Sequence, residues 1–210
     1  MKHYAVKEIF YSIAGEGFHT GRPALFVRFA GCNLWSGREE DRKDAICPFC
    51  DTQFIGTDGE GGGKYLLVDL LEKLSSQRDW LKAKRPFLVF TGGEPSLQLD
   101  EELISACKNE GYEVAIETNG TRPLPLGIDW VCVSPKLGSE LVVREGNELK
   151  VVYPQEVFDV ELPKKTNFEH CYLQPNWNEG EDMFKEVAQI CLTHPEWEMS
   201  PQVHKFLGLS

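Results

Sequence analysis

Three cysteines lie close together in the stretch CNLWSGREEDRKDAICPFCD, residues 32–51. Fourteen residues separate Cys32 from Cys47, whereas only two separate Cys47 from Cys50. Thiolates bind zinc, Cu(I) or iron–sulfur clusters, and a structural zinc site needs four ligands. Because the stretch contains no histidine, its three thiols are one ligand short of a structural zinc site. A [4Fe-4S] cluster held by three cysteines instead has one iron without a protein ligand, where a small molecule can bind.

S-adenosylmethionine can fill such a position through its amino and carboxylate groups, and one electron from the cluster then breaks its S–C5′ bond to give a radical. The motif TGGEP, residues 91–95, fits this cofactor because glycine lacks the Cβ that would keep a ligand's amino group from the backbone. Glu94 adds a negative charge, and Phe49 can lie against the adenine. The alternative is that Gly92 and Gly93 only turn the chain and that Phe49 belongs to the core.

Composition narrows the class of protein. The chain has 210 residues, 41% hydrophobic and 26% charged, which is typical of one soluble globular domain. Its net charge of −11 disfavours a nucleic-acid partner, since binding a polyphosphate needs a basic surface. We expect no membrane span and no signal peptide, and therefore a cytoplasmic protein. The odd number of cysteines, seven, indicates reduced thiols rather than disulfides, and the four outside the cluster stretch are interpreted as buried apolar residues.

Strand and helix patterns alternate along the chain. Strands are predicted from Tyr4, Ala24, Phe87, Tyr112, Asp129, Glu148 and Glu169, and helices are predicted over 67–77, after Asp100 and near 182–194. Residues 56–64 are predicted as a flexible loop, and the stretch from Trp197 as a last extended piece. This order predicts right-handed crossovers and a mainly parallel sheet. Two connections, within 120–128 and 135–147, are too short or too rich in glycine and proline for a full helix. We therefore expect an incomplete parallel β/α barrel.

Polar motifs follow the predicted strands where parallel β/α folds place their sites. In order, the chain carries AGEG near its start, CDT at the last cysteine of the stretch, TGGEP, ETNG, VSPK and QPNW. This set resembles the 7-carboxy-7-deazaguanine synthase family of the radical S-adenosylmethionine superfamily. Most of that superfamily separates its first two cysteines by three residues, so the insert here is itself typical of the synthases. The resemblance runs from the first strand to the C-terminus and implies a single radical SAM domain over residues 1–210, with a cluster-binding loop and insert at 32–50.

The resemblance implies a carbon–nitrogen lyase that contracts the ring of 6-carboxy-5,6,7,8-tetrahydropterin to 7-carboxy-7-deazaguanine and releases ammonia, on the route to queuosine and other 7-deazapurines. In this family the radical removes a hydrogen atom from C6 of the pterin, and the atom is returned after rearrangement, so that S-adenosylmethionine is regenerated. No catalytic side chain is implied beyond the bound cofactors.

Residue by residue, the resemblance implies four sets of contacts. The [4Fe-4S] cluster is held by Cys32, Cys47 and Cys50. Mg2+ is contacted by Thr52, and Asp51 lies near the ion without coordinating it directly. S-adenosylmethionine is contacted by Phe49, Gly93, Glu94, Glu117, Ser134, Pro135, Lys136 and Gln174. The pterin is contacted by Ile13, Ala14, Gly15, Glu16, Arg28, Thr91, His204 and Ser210.

Within the substrate set, Arg28 is expected to bind the carboxylate of the pterin, and Glu16 and Thr91 its donor edge. Two positions depart from the family. Ala14 stands where the family often has Gln, so only a backbone contact is carried over from that position. Ser210 ends the chain where relatives can end in Pro, and its terminal carboxylate is expected to serve equally.

The family also forms homodimers and needs an electron donor such as flavodoxin. The charged insert GREEDRKD is either a solvated face or a docking surface for that donor through Arg38 and Arg42. Two other functions remain open from the sequence. One is a glycyl-radical activase, which uses the same cofactors on a protein partner, and the other is a zinc-stabilised binding module.

Overall fold

The structure is a computed structural model that describes residues 2–77 and 84–209. The chain divides into two units. The first comprises Met1–Ser12, Pro23–Thr118 and Leu124–Asp129, and the second comprises Ile13–Arg22, Asn119–Pro123 and Trp130–Ser210. The expectation of a single domain over 1–210 stays a prediction.

The first unit contains strands β1 (Tyr4–Ile13), β2 (Pro23–Phe29), β3 (Gly63–Tyr65), β4 (Phe87–Gly92) and β5 (Glu113–Thr118) and helices α1 (Leu67–Gln77) and α2 (Glu101–Asn109). The strands lie in the order β3-β1-β2-β4-β5. β2, β4 and β5 run parallel, whereas β3 is antiparallel to β1. The first five residues of β4 are all buried, as expected for a parallel strand covered on both faces.

The ends of α2 follow from its sequence. The Asp100 side chain accepts a hydrogen bond of 2.9 Å from the Leu103 amide, which satisfies one of the unpaired donors at the helix start. Gly111, just beyond the helix, has a φ of 86°, a conformation that glycine adopts without strain. Lys108, in the last turn of the helix, forms an ion pair of 2.7 Å with Asp129.

The second unit contains strands β6 (Trp130–Val133), β7 (Glu145–Tyr153), β8 (Asn167–Pro175) and β9 (Glu198–Met199) and helices α3 (Glu181–Thr193) and α4 (Val203–Phe206). The four strands are parallel and adjacent in chain order. Their core includes Leu149, Val151, Leu173, Val187 and Trp197, all nearly inaccessible to solvent.

Two local predictions need correction. The end of the predicted loop at 56–64 belongs to β3, because the glycines there let the chain lie against β1. A Cβ on Gly62 would overlap the carbonyl oxygen of Lys7. The predicted extended piece from Trp197 is strand only over Glu198–Met199; Pro201 follows, and the chain then turns into α4.

The two connections predicted to lack helices do lack them, and both are fully described. No helix within the described residues is long and apolar enough to cross a membrane.

Candidate functional site

The three-cysteine stretch folds as a loop closed at its base. Gly31, with a φ of 90°, turns the chain out of β2 directly before Cys32. The Ile46 amide donates to the Leu34 carbonyl at 3.2 Å, so the chain that leaves Cys32 returns beside it before reaching Cys47. A short 3-10 helix, Glu39–Asp44, forms the outer part of this loop. The long spacing between the first two cysteines is therefore bridged by one backbone hydrogen bond.

The donor chemistry of the loop fits an iron–sulfur cluster. Cys47 is buried, whereas Cys32 and Cys50 are partly exposed, and none of the three is in a disulfide. Within 2–77 and 84–209, no three His, Cys, Asp or Glu side chains converge as ligands of a single metal ion. Thiolates are the usual protein ligands of iron–sulfur clusters, and each thiolate of a [4Fe-4S] cluster binds a different iron.

The thiol of Cys32 is partly buried. Burial raises its pKa, and the negative charges of Glu94 and Cys50 raise it further, whereas the Leu34 and Trp35 amides act in the opposite direction. The Leu34 amide lies 3.5 Å from the Cys32 sulfur. Binding of an iron would displace the proton of this thiol, because metals bind the thiolate form.

The Gly-Gly turn at the end of β4 needs glycine because neighbouring atoms leave no room for a Cβ. A Cβ on Gly93 would overlap the Gly31 carbonyl and lie 2.9 Å from Cβ of Cys32. The Glu94 amide donates to the same carbonyl at 2.9 Å. The turn is thus packed directly against the chain that carries Cys32. This packing agrees with the alternative in which the glycines only turn the chain, and it also places them beside the first cysteine.

Glu94 is fully buried. Its Oε1 accepts hydrogen bonds from the Ser96 amide at 2.9 Å and from the Thr118 hydroxyl at 2.6 Å. These bonds fix the carboxyl group of Glu94 next to the Gly-Gly turn. Thr118, which ends β5, was not among the predicted site residues.

Arg28, Thr91 and Glu117 lie at the ends of neighbouring strands. Arg28 on β2 is the register partner of Thr91 on β4. The Thr91 hydroxyl donates to Glu117 on β5 at 3.1 Å. Arg28 donates through Nε to Glu8 at 2.7 Å. The sequence reasoning missed Glu8, although a charged residue in the mostly apolar pattern of β1 was a usable signal.

Phe49, Asp51 and Thr52 complete the predicted residues of the first unit. Phe49 and Thr52 are partly exposed, and Asp51 is exposed. The Cys50 thiol lies 4.0 Å from the Thr52 carbonyl oxygen, so Thr52 is close to the cluster loop.

In the second unit, Glu16 is the centre of a polar cluster. Its Oε2 pairs with Nζ of Lys150 at 2.7 Å, and its Oε1 accepts from Nε2 of Gln202 at 2.7 Å. Burial alone would raise the pKa of Glu16, but the charge and hydrogen bond of Lys150, the bond from Gln202 and the charge of His204 hold it well below its usual range. Glu16 is therefore an ionised acceptor.

Lys150 and Gln202 were missed by the sequence reasoning. Lys150 is buried between Leu149 and Val151 in the middle of β7. A lysine inside an apolar strand is rarely buried without a partner, and this was the signal that could have identified it. Gln202 offered no comparable pattern.

Gly15 and His204 are in direct contact. A Cβ on Gly15 would overlap the His204 imidazole at Nδ1, and the Gly15 carbonyl accepts from the Val203 amide at 2.8 Å. The turn that carries Glu16 and the start of α4 are thereby joined, which brings two predicted substrate contacts together.

The remaining predicted substrate residues are Ala14, Ile13 and Ser210, and the first two have apolar side chains that take no part in the polar cluster of Glu16. Ala14 is buried, and its amide and carbonyl bond to Arg22 and Gly21 at 2.8 and 2.7 Å. Ile13, at the end of β1, is partly exposed. Ser210 lies outside the described residues.

Four predicted cofactor contacts lie at the ends of β6 and β8. Lys136 donates to the Ser134 hydroxyl at 2.7 Å, and the Pro135 carbonyl accepts from Gln155 at 3.4 Å. Gln174 is buried, and its Oε1 has no hydrogen-bond partner in the described part of the chain. A buried amide oxygen without a donor is unfavourable, so this atom suits a donor group of a bound ligand.

The parallel strands, the polar residues at their ends and the three-thiol loop are the features of a radical SAM protein. A family model described as the Radical SAM superfamily matches residues 44–159, more than half of the chain. The match begins after Cys32 and most of the insert, where the cysteine spacing departs from that of the superfamily. Membership implies a [4Fe-4S] cluster and S-adenosylmethionine as cofactors.

Curated relatives identify the family within this class. The chain is 51% identical to a 7-carboxy-7-deazaguanine synthase of Bradyrhizobium diazoefficiens, over 98% of this chain and 99% of the relative. Identity to the synthase of Burkholderia multivorans is also 51% with the same coverage, and identity to that of Synechocystis is 33% over 98% and 93%. The chain belongs to the 7-carboxy-7-deazaguanine synthase family.

A solved structure confirms the predicted fold class. The crystal structure of QueE from Escherichia coli matches with a TM-score of 0.67 and 26% identity, over 96% of this chain and 95% of that one. The incomplete β/α barrel of the radical SAM type is therefore the correct class. Similarity over nearly the whole length also opposes the two other functions left open by the sequence.

Proposed function

We propose that this chain converts 6-carboxy-5,6,7,8-tetrahydropterin into 7-carboxy-7-deazaguanine with release of ammonia, as a ring-contracting carbon–nitrogen lyase in queuosine and 7-deazapurine biosynthesis. The observation that carries the proposal is the 51% identity to synthases of this name over almost the complete chain. The closed three-cysteine loop supports it, because its three free thiols are donors of the type that holds an iron–sulfur cluster.

When bound, the cluster and S-adenosylmethionine would supply one-electron chemistry that takes a hydrogen atom from a carbon of the substrate. The chain's part in this is to hold the cofactors and keep water away. Cys32, Cys47 and Cys50 are the proposed cluster ligands. The proposed contacts of S-adenosylmethionine are Phe49, Gly93, Glu94, Glu117, Ser134, Pro135, Lys136 and Gln174.

Arg28 is the proposed partner of the substrate carboxylate. Its Nε is held by Glu8, and its terminal nitrogens form no hydrogen bond to any residue of the described chain. A guanidinium held in this way presents a planar pair of donors that matches a carboxylate. Glu8 thus fixes the orientation of Arg28 before the substrate arrives.

Glu16 and Thr91 are proposed to bind the donor edge of the pterin. Lys150 and Gln202 hold the Glu16 carboxylate ionised, so it can accept N–H groups of the substrate. His204, packed on Gly15, and the backbone of Ile13 and Ala14 are the further proposed contacts, together with the terminal carboxylate of Ser210.

Mg2+ is proposed as a third cofactor, with Thr52 as its protein ligand and Asp51 in the outer shell. Mg2+ prefers oxygen ligands and often takes only one or two of them from protein, with substrate and water completing its coordination. The position of Thr52 two residues after Cys50 supports this assignment. The ion would orient the substrate so that rearrangement proceeds faster than side reactions.

The proposed setting is a homodimer in the cytoplasm, where thiols stay reduced and a donor such as flavodoxin can supply electrons. The test is an anaerobic assay of 7-carboxy-7-deazaguanine formation from the carboxypterin, with reductant, S-adenosylmethionine and either Mg2+ or chelator. We expect product with Mg2+ and much less without it. Cys32→Ala should abolish product, whereas Cys191→Ala, on α3 and outside the loop, should retain it. Failure of the wild-type chain to form product would refute the proposal.

A further inference from the structure

Arg42, in the insert between the first two cysteines, is bound to the loop that carries the other two. Its Nη1 donates to the Pro48 carbonyl at 2.7 Å and to the Cys50 carbonyl at 3.0 Å. These carbonyls lie on either side of Phe49. One side chain therefore fixes the backbone of the Cys47–Cys50 turn from outside.

The guanidinium is itself held in place. Its Nε donates to Glu39 at 2.7 Å, and its Cζ lies over the Trp35 ring, 4.1 Å from the ring centroid. Trp35 is buried, donates from its indole nitrogen to the Arg38 carbonyl at 3.1 Å and packs edge-on against Phe54. The insert thus supplies a fixed base for Arg42, which a freely solvated charged loop would not do.

We propose that Arg42 is a positioning residue of the cluster, which fixes the Cys47–Cys50 turn through two carbonyls and keeps a permanent positive charge beside these cysteines. The inference rests on the proposed function only in taking the three cysteines as cluster ligands. The proposal explains why fourteen residues separate Cys32 from Cys47, because the insert between them places Arg42 against the Cys47–Cys50 turn.

The positive charge of Arg42 interacts with the side chains of Cys47 and Cys50, in addition to its hydrogen bonds to the backbone. The pKa of Arg42 is raised first by its hydrogen bond to Glu39 and also by the negative charges of Cys50 and Cys47. A cluster gains negative charge on reduction, so a neighbouring cation stabilises the reduced form and raises the reduction potential. Residues that hold metal ligands in place typically change metal affinity by about 10–100-fold when removed.

Arg38 provides a matched control in the same insert. It carries the same charge, its side chain is 70% exposed, and its ion pair with Glu40 is long at 3.9 Å. Substitution of Arg38 leaves its backbone carbonyl, and hence the bond from Trp35, in place. A surface that docks an electron donor would depend on both arginines, whereas a positioning role depends on Arg42 alone.

The experiment compares wild type, Arg42→Gln, Arg42→Lys and Arg38→Gln after anaerobic reconstitution. The readouts are iron per chain, the rate of iron loss to a chelator and the midpoint potential from an EPR-monitored titration. We expect Arg42→Gln to lose iron about tenfold faster than wild type. We also expect it to be about tenfold harder to reduce, a shift of about 59 mV for a one-electron couple. Arg38→Gln should match wild type in all three.

Arg42→Lys separates the two parts of the role, since it keeps the charge but loses the rigid guanidinium in which Nε binds Glu39 while Nη1 binds the two carbonyls. We expect faster iron loss with a potential close to wild type. Circular dichroism of the iron-free proteins checks folding, and Arg42→Lys carries the test if Arg42→Gln does not fold. The proposal is overturned if iron loss and potential of the folded Arg42 variants equal those of Arg38→Gln. Wild-type protein that binds iron but forms no deazaguanine would instead count against the proposed function alone.

Discussion

Glu16 and Lys150 form an ion pair of 2.7 Å in which the lysine side chain is 4% exposed and the glutamate 20%. With Gln202 on the other carboxylate oxygen, both oxygens of Glu16 have fixed partners. A lysine buried to this extent is stable as a cation only beside an anion, so each residue keeps the other charged. The pair prepares the turn after β1 for a ligand with N–H donors.

Lys150→Met should therefore change the pH dependence of catalysis. Burial alone raises the pKa of Glu16, and Lys150 is the largest influence that lowers it. Without the lysine, Glu16 should protonate at higher pH and lose its acceptor function there. The acidic limb of kcat/KM for the carboxypterin should move up by about one unit or more, mainly through KM.

The other polar groups around Glu16 are Gln202, His204 and the buried Glu148, which faces Gly17. All remain in Lys150→Met. Lys165→Met removes an exposed ion pair with Asp159 in the same unit and serves as the control. An unchanged pH profile and KM in Lys150→Met would show that the pair has no part in substrate binding.

The same pair should contribute to acid stability. Because the pKa of Glu16 is depressed in the folded chain, its contribution is complete above the unfolded value near 4.5 and is lost as pH falls toward the folded value of about 2. Glu16→Gln should flatten the loss of stability over this window, as measured by urea unfolding at several pH values. Equal slopes for the variant and wild type would contradict the depressed pKa.

Gly93→Ala should displace the first cysteine. The new methyl group would overlap the Gly31 carbonyl and press on Cys32. We expect reduced iron content after reconstitution and a lower melting temperature. Gly146→Ala is the milder control, since its Cβ meets only side-chain atoms, at 3.1 Å and beyond. Full iron content in a well-folded Gly93→Ala protein would show that the turn and Cys32 are not coupled.

Asp100→Ala should destabilise the first unit without affecting the cluster. It removes the cap of α2, the ion pair with Lys2 and the bonds from Tyr4. Loss of an N-cap alone typically costs about 1 kcal/mol. Chemical denaturation of the iron-free chain measures the change, and Asp100→Asn, which still caps, should lose less. Equal stability of the Ala and Asn variants would exclude a capping role.

Most strands and helices could be predicted from the sequence, because local residue patterns specify them. The apolar run of β4 and the Asp100 cap are signals within a few residues of the elements they specify. β3 was missed since its pairing depends on glycines packing against β1, far away in the chain. The same limit applies to the site: Glu8, Lys150 and Gln202 matter through partners up to 186 residues away.

The central claim is that three cysteines hold a [4Fe-4S] cluster and leave one iron to a small molecule. Metal analysis of anaerobically reconstituted protein tests it most directly. We predict about four irons per chain in wild type and a large loss in Cys32→Ala, with Cys191→Ala unchanged. Zinc in place of iron, or full iron retention in Cys32→Ala, would contradict the claim.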